Sequence, residues 1–89
     1  MVSSKMIINI PAGLHLRPIS VLCNRSIVFK STITIIMGDK SVNAKSVLGV
    51  LSACVKHGDE IELVCEGPDE KEALTVLSKM IQGGLGDEI

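Results

Sequence analysis

The sequence is poor in aromatic residues: its 89 positions contain no tryptophan or tyrosine, and Phe29 is the single phenylalanine. Without aromatic rings a protein lacks the platforms on which nucleic-acid bases and sugar rings stack. An excess of charge of one sign is also missing, because nine lysines and arginines stand against ten aspartates and glutamates, a formal net charge of −1. Since sequence-independent binding to nucleic acid needs a positive surface, we do not expect this chain to bind nucleic acid directly.

Cysteines are few and are not arranged for a shared site. Cys23, Cys54 and Cys65 lie far apart in the chain, and no C-x-x-C pair is present to hold zinc or to exchange disulfides. Their apolar neighbours predict buried thiols in a reducing cytosol. No apolar run is long enough to span a membrane, and residues 1–5 are too short and too polar to begin a signal peptide. We therefore expect a cytoplasmic protein without membrane insertion, metal or cofactor.

The length and the apolar content predict one folded domain, residues 1–89. A domain usually has about 100–200 residues, so a two-domain enzyme with a cleft between its halves is not expected. The hydrophobic fraction of 46% is enough for a core and too high for a disordered chain. Function must then reside on one surface of a small protein.

The first half of the chain changes its apolar periodicity twice. Residues 5–10 are apolar and β-branched, which predicts a strand that ends at Pro11. Just after His15, apolar residues begin to recur at steps of three and four, which predicts a helix. Thr32–Met37 alternates polar and apolar residues, and a glycine-aspartate turn leads into a shorter strand at Lys40–Asn43. This pair of strands is predicted to form a hairpin.

The second half repeats the pattern of helix, strand and helix. Ser46 can cap a short helix at residues 47–52. Residues 60–66 show the alternation of a strand, and Asp69 with Glu72 has the spacing of a capping box at the start of a third helix. The buried sides of this strand and helix are predicted to contain Ile61, Leu63, Cys65, Leu74, Leu77 and Ile81.

The element order β-α-β-β-α-β-α predicts the α+β class. Its natural arrangement is one sheet whose first face is covered by helices and whose second face is partly solvated. The first six elements have the same order in ferredoxin-like folds, so order alone assigns no function. A ferredoxin-like small-molecule or RNA-binding module is an alternative, although the shortage of aromatic rings and of positive charge disfavours it.

The most informative segment is residues 13–18, which brings an imidazole and a guanidinium to the start of the first helix. The first amides of a helix have no intrahelical acceptor and the helix dipole is positive there, so an anion is stabilised. His15 can accept a phosphoryl group in this position. Arg17 and the amides of Leu16 and Arg17 can then hold the phosphate. A capping or surface histidine is the commoner interpretation of such a residue, but delivery to a loop end favours chemistry.

Three separated segments resemble one known family. Residues 13–18 (Gly-Leu-His-Leu-Arg-Pro), residues 42–50 (Val-Asn-Ala-Lys-Ser-Val-Leu-Gly-Val) and the Gly-Leu-Gly-acidic ending resemble HPr, the histidine-containing phosphocarrier of the bacterial sugar phosphotransferase system. The resemblance covers essentially the whole chain. It implies an open-faced β-sandwich, a four-stranded antiparallel sheet with three helices on one face.

The resemblance also implies a function and its partners. His15 would accept a phosphoryl group on Nδ1 from phosphorylated enzyme I and pass it to enzyme IIA domains of sugar permeases. Arg17 would be the partner of the phosphate. The chain would thus be a substrate of enzymes and not an enzyme.

Ser46 matches the serine that HPr kinase/phosphorylase modifies with ATP in the family. The modified form there slows transfer and can act with the catabolite control protein as a co-repressor. Capping alone also explains the residue type. Because the helix dipole tolerates a phosphate at a cap, the effect would fall on docking. We expect partners to dock on an apolar patch of Leu16, Ser20, Val47, Leu48 and Leu51.

Three positions depart from the family pattern. Leu16 and Ile19 stand where the family usually has alanine, and Ala12 stands where it usually has a small polar residue. A hydrogen bond lost at Ala12 would weaken phosphate binding by roughly 0.5–1.5 kcal/mol. Two alternatives stay open: a mainly regulatory protein that acts through phosphorylated Ser46, and a carrier in a nitrogen- or metabolism-linked branch. For either use we expect a monomer.

Overall fold

The computed structural model describes residues 1–86 and has the predicted order of elements. The elements are β1 (Val2–Ile7), α1 (Leu16–Ser26), β2 (Thr32–Met37), β3 (Lys40–Asn43), α2 (Val47–Ser52), β4 (Glu60–Glu66) and α3 (Glu70–Gln82). The α+β class is therefore confirmed. Asp87 and Glu88, the acidic part of the Gly-Leu-Gly-acidic ending, lie outside the described residues.

The four strands form one antiparallel sheet in the order β1-β4-β2-β3. In the split β-α-β unit of a ferredoxin-like fold, β3 inserts between β1 and β2. Here β4 lies between them, and β1 and β3 form the two edges of the sheet. The ferredoxin-like alternative is therefore wrong, and the open-faced sandwich is confirmed.

The core lies between the sheet and the helices. The alternation of β2 and β4 buries Ile33, Ile35, Ile61, Leu63 and Cys65, as the period of two requires. From the helices, the core receives Ile19, Leu22, Cys23, Ala73, Leu77 and Ile81. Full burial of one such large aliphatic side chain stabilises the fold by about 1.5–3 kcal/mol. Of the predicted α3 stripe, Leu74 is only partly buried, and Ala73 packs in the core instead.

The first strand is displaced from its predicted position. The prediction was residues 5–10, whereas β1 is Val2–Ile7. The chain leaves the sheet after Ile7, yet Ile8 and Ile10 are completely buried as loop residues. The apolar character of these two residues correctly indicates that they are buried. The predicted bounds of the strand are wrong because a short buried loop and a buried strand have the same composition.

Asp69 does not form the predicted capping box. Its side chain makes no capping hydrogen bond to α3. The carboxylate instead accepts the backbone N–H groups of Lys30 and Ser31, each at 2.9 Å, and the Ser31 hydroxyl. Glu70, rather than Glu72, reaches back from the first turn and accepts the Gly67 N–H at 3.1 Å. Asp69 thus ties the start of α3 to the start of β2.

This tie predicts a specific acid sensitivity. The hydrogen bond from the Ser31 hydroxyl, and then those from the Lys30 and Ser31 amides, lower the pKa of Asp69 from 3.8 to about 2. A depressed folded-state pKa contributes stability that is present above pH 3.8 and is lost as the pH falls to about 2. In urea unfolding between pH 5 and pH 2, the wild type should lose stability more steeply than Asp69→Asn, which has no carboxylate to protonate.

The matched control is Asp39→Asn, in the exposed turn between β2 and β3. It should follow the wild-type curve. Parallel curves for the wild type and Asp69→Asn would show that the Asp69 carboxylate does not carry this sensitivity.

The three cysteines differ in their surroundings. Cys23 and Cys65 are buried as predicted, and burial raises the pKa of both thiols. Cys54 was expected to be buried and is exposed. It directly follows the short helix α2 and its cap residue Ala53, and its backbone takes a left-handed φ of 54°. The apolar neighbours of Cys54 point into the core while the thiol does not.

Residues 1–86 contain neither a cluster of metal-binding side chains nor a membrane-spanning helix. No group of three or more histidine, cysteine, aspartate or glutamate side chains in this range could hold a metal ion. None of its helices is long and apolar enough to cross a bilayer.

Candidate functional site

His15 occupies the N-cap position of α1. Its backbone is extended, with φ −95° and ψ −174°, and its carbonyl accepts the Ile19 N–H at 3.1 Å. The side chain is half-buried and makes no capping hydrogen bond to the helix. Since residues chosen for capping use their side chains to satisfy the first amides, the capping interpretation of His15 is disfavoured.

The first turn of α1 is arranged to receive an anion. Leu16 and Arg17 are exposed, and the turn contains no acidic residue. Its leading amides have no intrahelical acceptor, and the helix dipole adds positive potential at this end. The structure thus places the imidazole, the guanidinium and these amides at one end of one helix, as the sequence predicted.

A tight turn delivers His15 to this position. Gly13 has a φ of +73°, and its N–H donates to the Ile10 carbonyl at 2.8 Å. The next residue, Leu14, is buried, and its N–H donates to the Val55 carbonyl at 2.9 Å. A Cβ atom on Gly13 would lie 2.8 Å from the Val55 oxygen and 2.9 Å from the Lys56 Cα. Glycine is therefore required here both by conformation and by space.

We expect Gly13→Ala to destabilise the protein and to displace the His15 loop. A left-handed backbone costs a residue with a Cβ about 1–2 kcal/mol, and the clash with fixed backbone adds to this cost. Gly38→Ala is the matched control, because Gly38 has a φ of +61° and no atom within 4 Å of the added Cβ. In urea unfolding Gly13→Ala should lose clearly more stability than Gly38→Ala. Equal losses would mean that the close approach to Val55 and Lys56 is unimportant.

The predicted docking residues lie on two helices that pack against each other, α1 and α2. Leu16, Leu48 and Leu51 are 60%, 78% and 42% exposed. Ser20 and Val47 are half-buried. We call these five residues the α1–α2 patch. A contiguous exposed apolar patch commonly marks a contact surface, whereas a single exposed leucine does not.

The three departures from the family pattern have different surroundings. Ile19 is completely buried, so its extra bulk affects the core and not the surface. Leu16 is exposed within the α1–α2 patch, and Ala12 is exposed in the loop before His15. Only the latter two can change what a partner or a phosphate meets.

Ser46 caps α2 as predicted. Its Oγ accepts the Gly49 N–H at 3.0 Å, and its own N–H donates to the Asn43 carbonyl at 3.0 Å. Ser46 is half-buried. The neighbouring Lys45 extends its ammonium to the Phe29 carbonyl at 2.7 Å, which ties the α2 start to the end of α1.

One part of the site has no local signal in the sequence. The segment from Val55 to Asp59 contacts the loop before His15 through the Leu14–Val55 hydrogen bond and through two more, Ile8 N–H to Asp59 carbonyl and Gly58 N–H to Ile8 carbonyl, both at 2.8 Å. These contacts join residues far apart in the chain, and no periodicity marks them.

Comparisons with known proteins point to one family. Residues 2–83 match the profile of the family described as "PTS HPr component phosphorylation site". The chain is 38% identical to the phosphocarrier protein HPr of Treponema pallidum over 86% of this chain and 88% of the relative. It is 35% identical to the HPr-like protein Crh of Bacillus subtilis over 92% of this chain and 96% of the relative.

Among solved structures, the crystal structure of HPr-C-His from Thermoanaerobacter tengcongensis superposes with a TM-score of 0.94. The two chains are 35% identical, and each is covered completely. A match over this share of the chain, in sequence and in fold, leaves one conclusion: the protein belongs to the HPr family, phosphocarriers of the phosphotransferase system that are not themselves enzymes.

Proposed function

We propose that His15 accepts a phosphoryl group from phosphorylated enzyme I and passes it to enzyme IIA domains of sugar permeases. The lone pair of Nδ1 forms the new bond to phosphorus as the bond between phosphorus and the donor breaks. The reverse exchange with the next acceptor restores the imidazole. The observation that carries the proposal is the placement of His15 at the start of α1, with Arg17 in the first turn of the same helix.

The surroundings of His15 suit both directions of transfer. The amides of Leu16 and Arg17 and the positive end of the α1 dipole stabilise the charge that arrives with the phosphoryl group. Arg17 is exposed, so its guanidinium can hold the phosphate in the free carrier and can release it to a partner. The exchange requires no cofactor or metal from this chain.

Charge and apolar surface favour an acidic partner. The stretch from residue 11 to residue 57, which contains α1, α2 and the His15 loop, has a single acidic residue, Asp39. Its basic residues are Arg17, Arg25, Lys30, Lys40, Lys45 and Lys56. Complementary charge speeds the encounter and orients it. We infer that enzyme I and enzyme IIA cover the α1–α2 patch with apolar residues inside an acidic rim.

The patch is tested most simply at Leu48. We expect Leu48→Ser to raise the KM for transfer from enzyme I by roughly fivefold or more, because truncation of a central contact residue costs about 1 kcal/mol or more. Stability should hardly change, since Leu48 is the most exposed of the large hydrophobic residues of residues 1–86.

Ile7→Ser is the control for this substitution. Like Leu48, Ile7 is an exposed aliphatic residue, with 54% of its surface accessible, but it lies in the edge strand β1. Transfer by Ile7→Ser should match the wild type. If both variants transfer normally, partners do not dock on the patch.

A second function, regulation through Ser46, is favoured by one specific observation. The Ser46 hydroxyl is the cap of α2, directly before Val47 and Leu48 of the α1–α2 patch. A phosphate there adds about −1.5 to −2 charges, which would repel the acidic rim inferred for the partners. On this proposal HPr kinase/phosphorylase would place the phosphate, and the catabolite control protein would bind the product.

Incubation with ATP and HPr kinase/phosphorylase tests the second function. Acid-stable phosphate should appear in the wild type and not in Ser46→Ala, and the modified protein should accept phosphoryl groups from enzyme I more slowly. Unmodified protein after incubation with an active kinase would rule out this regulation.

The carrier function itself is tested by following the phosphoryl group through two steps. Labelled phosphoenolpyruvate and enzyme I should give an acid-labile, alkali-stable label, and addition of an enzyme IIA should remove it. Removal of the label by a sugar-specific enzyme IIA supports the proposal as stated. Removal only by a nitrogen- or metabolism-linked acceptor would mean that the carrier serves that branch of the phosphotransferase system instead. We propose that the carrier works as a cytoplasmic monomer. The protein that accepts the label should therefore have the mass of a single chain, and the rate of transfer should be proportional to its concentration. Failure to take the label from an active enzyme I would refute the carrier function.

A further inference from the structure

The turn that follows α2 is closed by one carboxylate. Asp59 Oδ2 accepts the Lys56 N–H at 2.8 Å, and the Asp59 N–H donates to the Lys56 carbonyl at 3.0 Å. Gly58, with a φ of +91°, makes the reversal possible. Asp59 thus holds the turn through its side chain and its backbone together.

The peptide group that Asp59 holds is the one that contacts the His15 loop. The Lys56 N–H and the Val55 carbonyl belong to the same planar peptide unit. While Asp59 accepts the N–H of this unit, its oxygen accepts the Leu14 N–H at 2.9 Å. Because the peptide unit is planar, the orientation that directs the Lys56 N–H toward Asp59 also fixes the direction of the Val55 carbonyl toward Leu14.

Leu14 transmits this constraint directly to the site. It is buried and immediately precedes His15, the N-cap of α1. Gly13 approaches the same peptide so closely that a Cβ there would lie 2.8 Å from the Val55 oxygen. The backbone ahead of His15 therefore rests on the Val55–Lys56 peptide at two consecutive residues.

We propose that Asp59 is a positioning residue for phosphoryl transfer at His15, acting through the Val55–Lys56 peptide. The proposal rests on the carrier function. Asp59 lies in the turn and not on the α1–α2 patch, so its effect should fall on the rate of transfer within the complex and not on docking. A small displacement of a reacting group is enough to slow transfer strongly.

Three substitutions separate positioning from charge. Asp59→Asn keeps an acceptor oxygen at the same distance from the backbone, whereas Asp59→Glu keeps the charge and moves the acceptor by one methylene group. Asp59→Ala removes both. We expect Asp59→Ala and Asp59→Glu to transfer about tenfold more slowly at saturating enzyme I with an unchanged KM, and Asp59→Asn to stay within about twofold of the wild type. Asp39→Ala is the control for loss of an exposed turn carboxylate and should transfer normally.

Hydrogen exchange of the Leu14 amide gives a readout that needs no partner enzyme. The amide should exchange faster in Asp59→Ala and Asp59→Glu than in the wild type, with Asp59→Asn close to the wild type. Normal transfer and normal Leu14 protection in Asp59→Glu would overturn the proposal, as would a defect in Asp59→Asn equal to that in Asp59→Ala. If the wild type itself accepts no phosphoryl group, the carrier function fails, while the exchange pattern still decides whether Asp59 positions the loop.

Discussion

Replacement of His15 by alanine is expected to abolish phosphoryl acceptance from enzyme I and to leave the fold intact. The loss should be complete because no other group at the start of α1 has a nucleophilic nitrogen. The fold should survive because the loop is held by backbone hydrogen bonds of Gly13 and Leu14, which do not involve the ring. Phosphorylation assays and urea unfolding of the same preparation measure the two effects.

His57→Ala is the matched control. His57 is the other histidine of the chain and is exposed in the turn after α2. It should accept phosphoryl groups at the wild-type rate. Label retained by His15→Ala, or lost from His57→Ala, would place the acceptor elsewhere than His15.

Replacement of Arg17 by alanine should slow phosphoryl transfer by about a hundredfold, the usual cost of removing one donor that stabilises developing negative charge. Stability should change little, because Arg17 is exposed and makes none of the ion pairs found among residues 1–86. Arg17→Lys should fall between the alanine variant and the wild type, since an ammonium group supplies charge without the two parallel N–H donors of a guanidinium. Single-turnover transfer from phosphorylated enzyme I measures the rate.

Arg25→Ala provides the comparison for charge. Arg25 lies in the last turn of the same helix, and its guanidinium carbon is 5.8 Å from the centre of the Phe29 ring. Its replacement by alanine therefore removes an equal charge far from His15. At saturating enzyme I, where the encounter does not limit the rate, Arg25→Ala should transfer like the wild type. Equal slowing in Arg17→Ala and Arg25→Ala would mean that net charge, and not contact with the phosphate, explains the effect.

Local sequence was sufficient where one periodicity matched one environment. The alternation of β2 and β4 and the three- and four-residue steps of α1 gave their positions directly, because each element has one buried face. The strand β1 was misplaced because Ile8 and Ile10 are buried without being in the sheet. Composition reports burial, and it does not report which backbone partner satisfies the hydrogen bonds.

Contacts across long separations explain why Asp69 and the turn after α2 could not be placed from the sequence. Asp69 has the residue type and spacing of a cap, but its acceptor oxygens are taken by Lys30 and Ser31, which lie 39 and 38 residues away. The Val55–Lys56 peptide likewise meets Leu14 through a loop with no regular pattern. No propensity of a short segment encodes such a meeting, since it depends on how the helices pack on the sheet.

Some residues of the candidate site could be predicted from local sequence, and others needed the folded structure. His15 and Arg17 became candidates through residue type and local position, because a helix start concentrates unpaired amides wherever it occurs. For Ser46, position predicted only a cap, and the expected regulatory role came from the resemblance to HPr. The α1–α2 patch was also predicted from the sequence, and the structure adds that its two helices pack against each other and that its three leucines are exposed. The positions of Gly13 and Asp59 became meaningful only with the turn after α2 in place.

The most direct test of the central claim is nuclear magnetic resonance of the ¹⁵N-labelled protein after incubation with phosphoenolpyruvate and enzyme I. The account predicts that the His15 ring nitrogens shift, with phosphorus coupled to Nδ1, while the His57 ring resonances remain unchanged. Phosphorus attached to His57, or to a serine oxygen with the His15 ring unchanged, would contradict it.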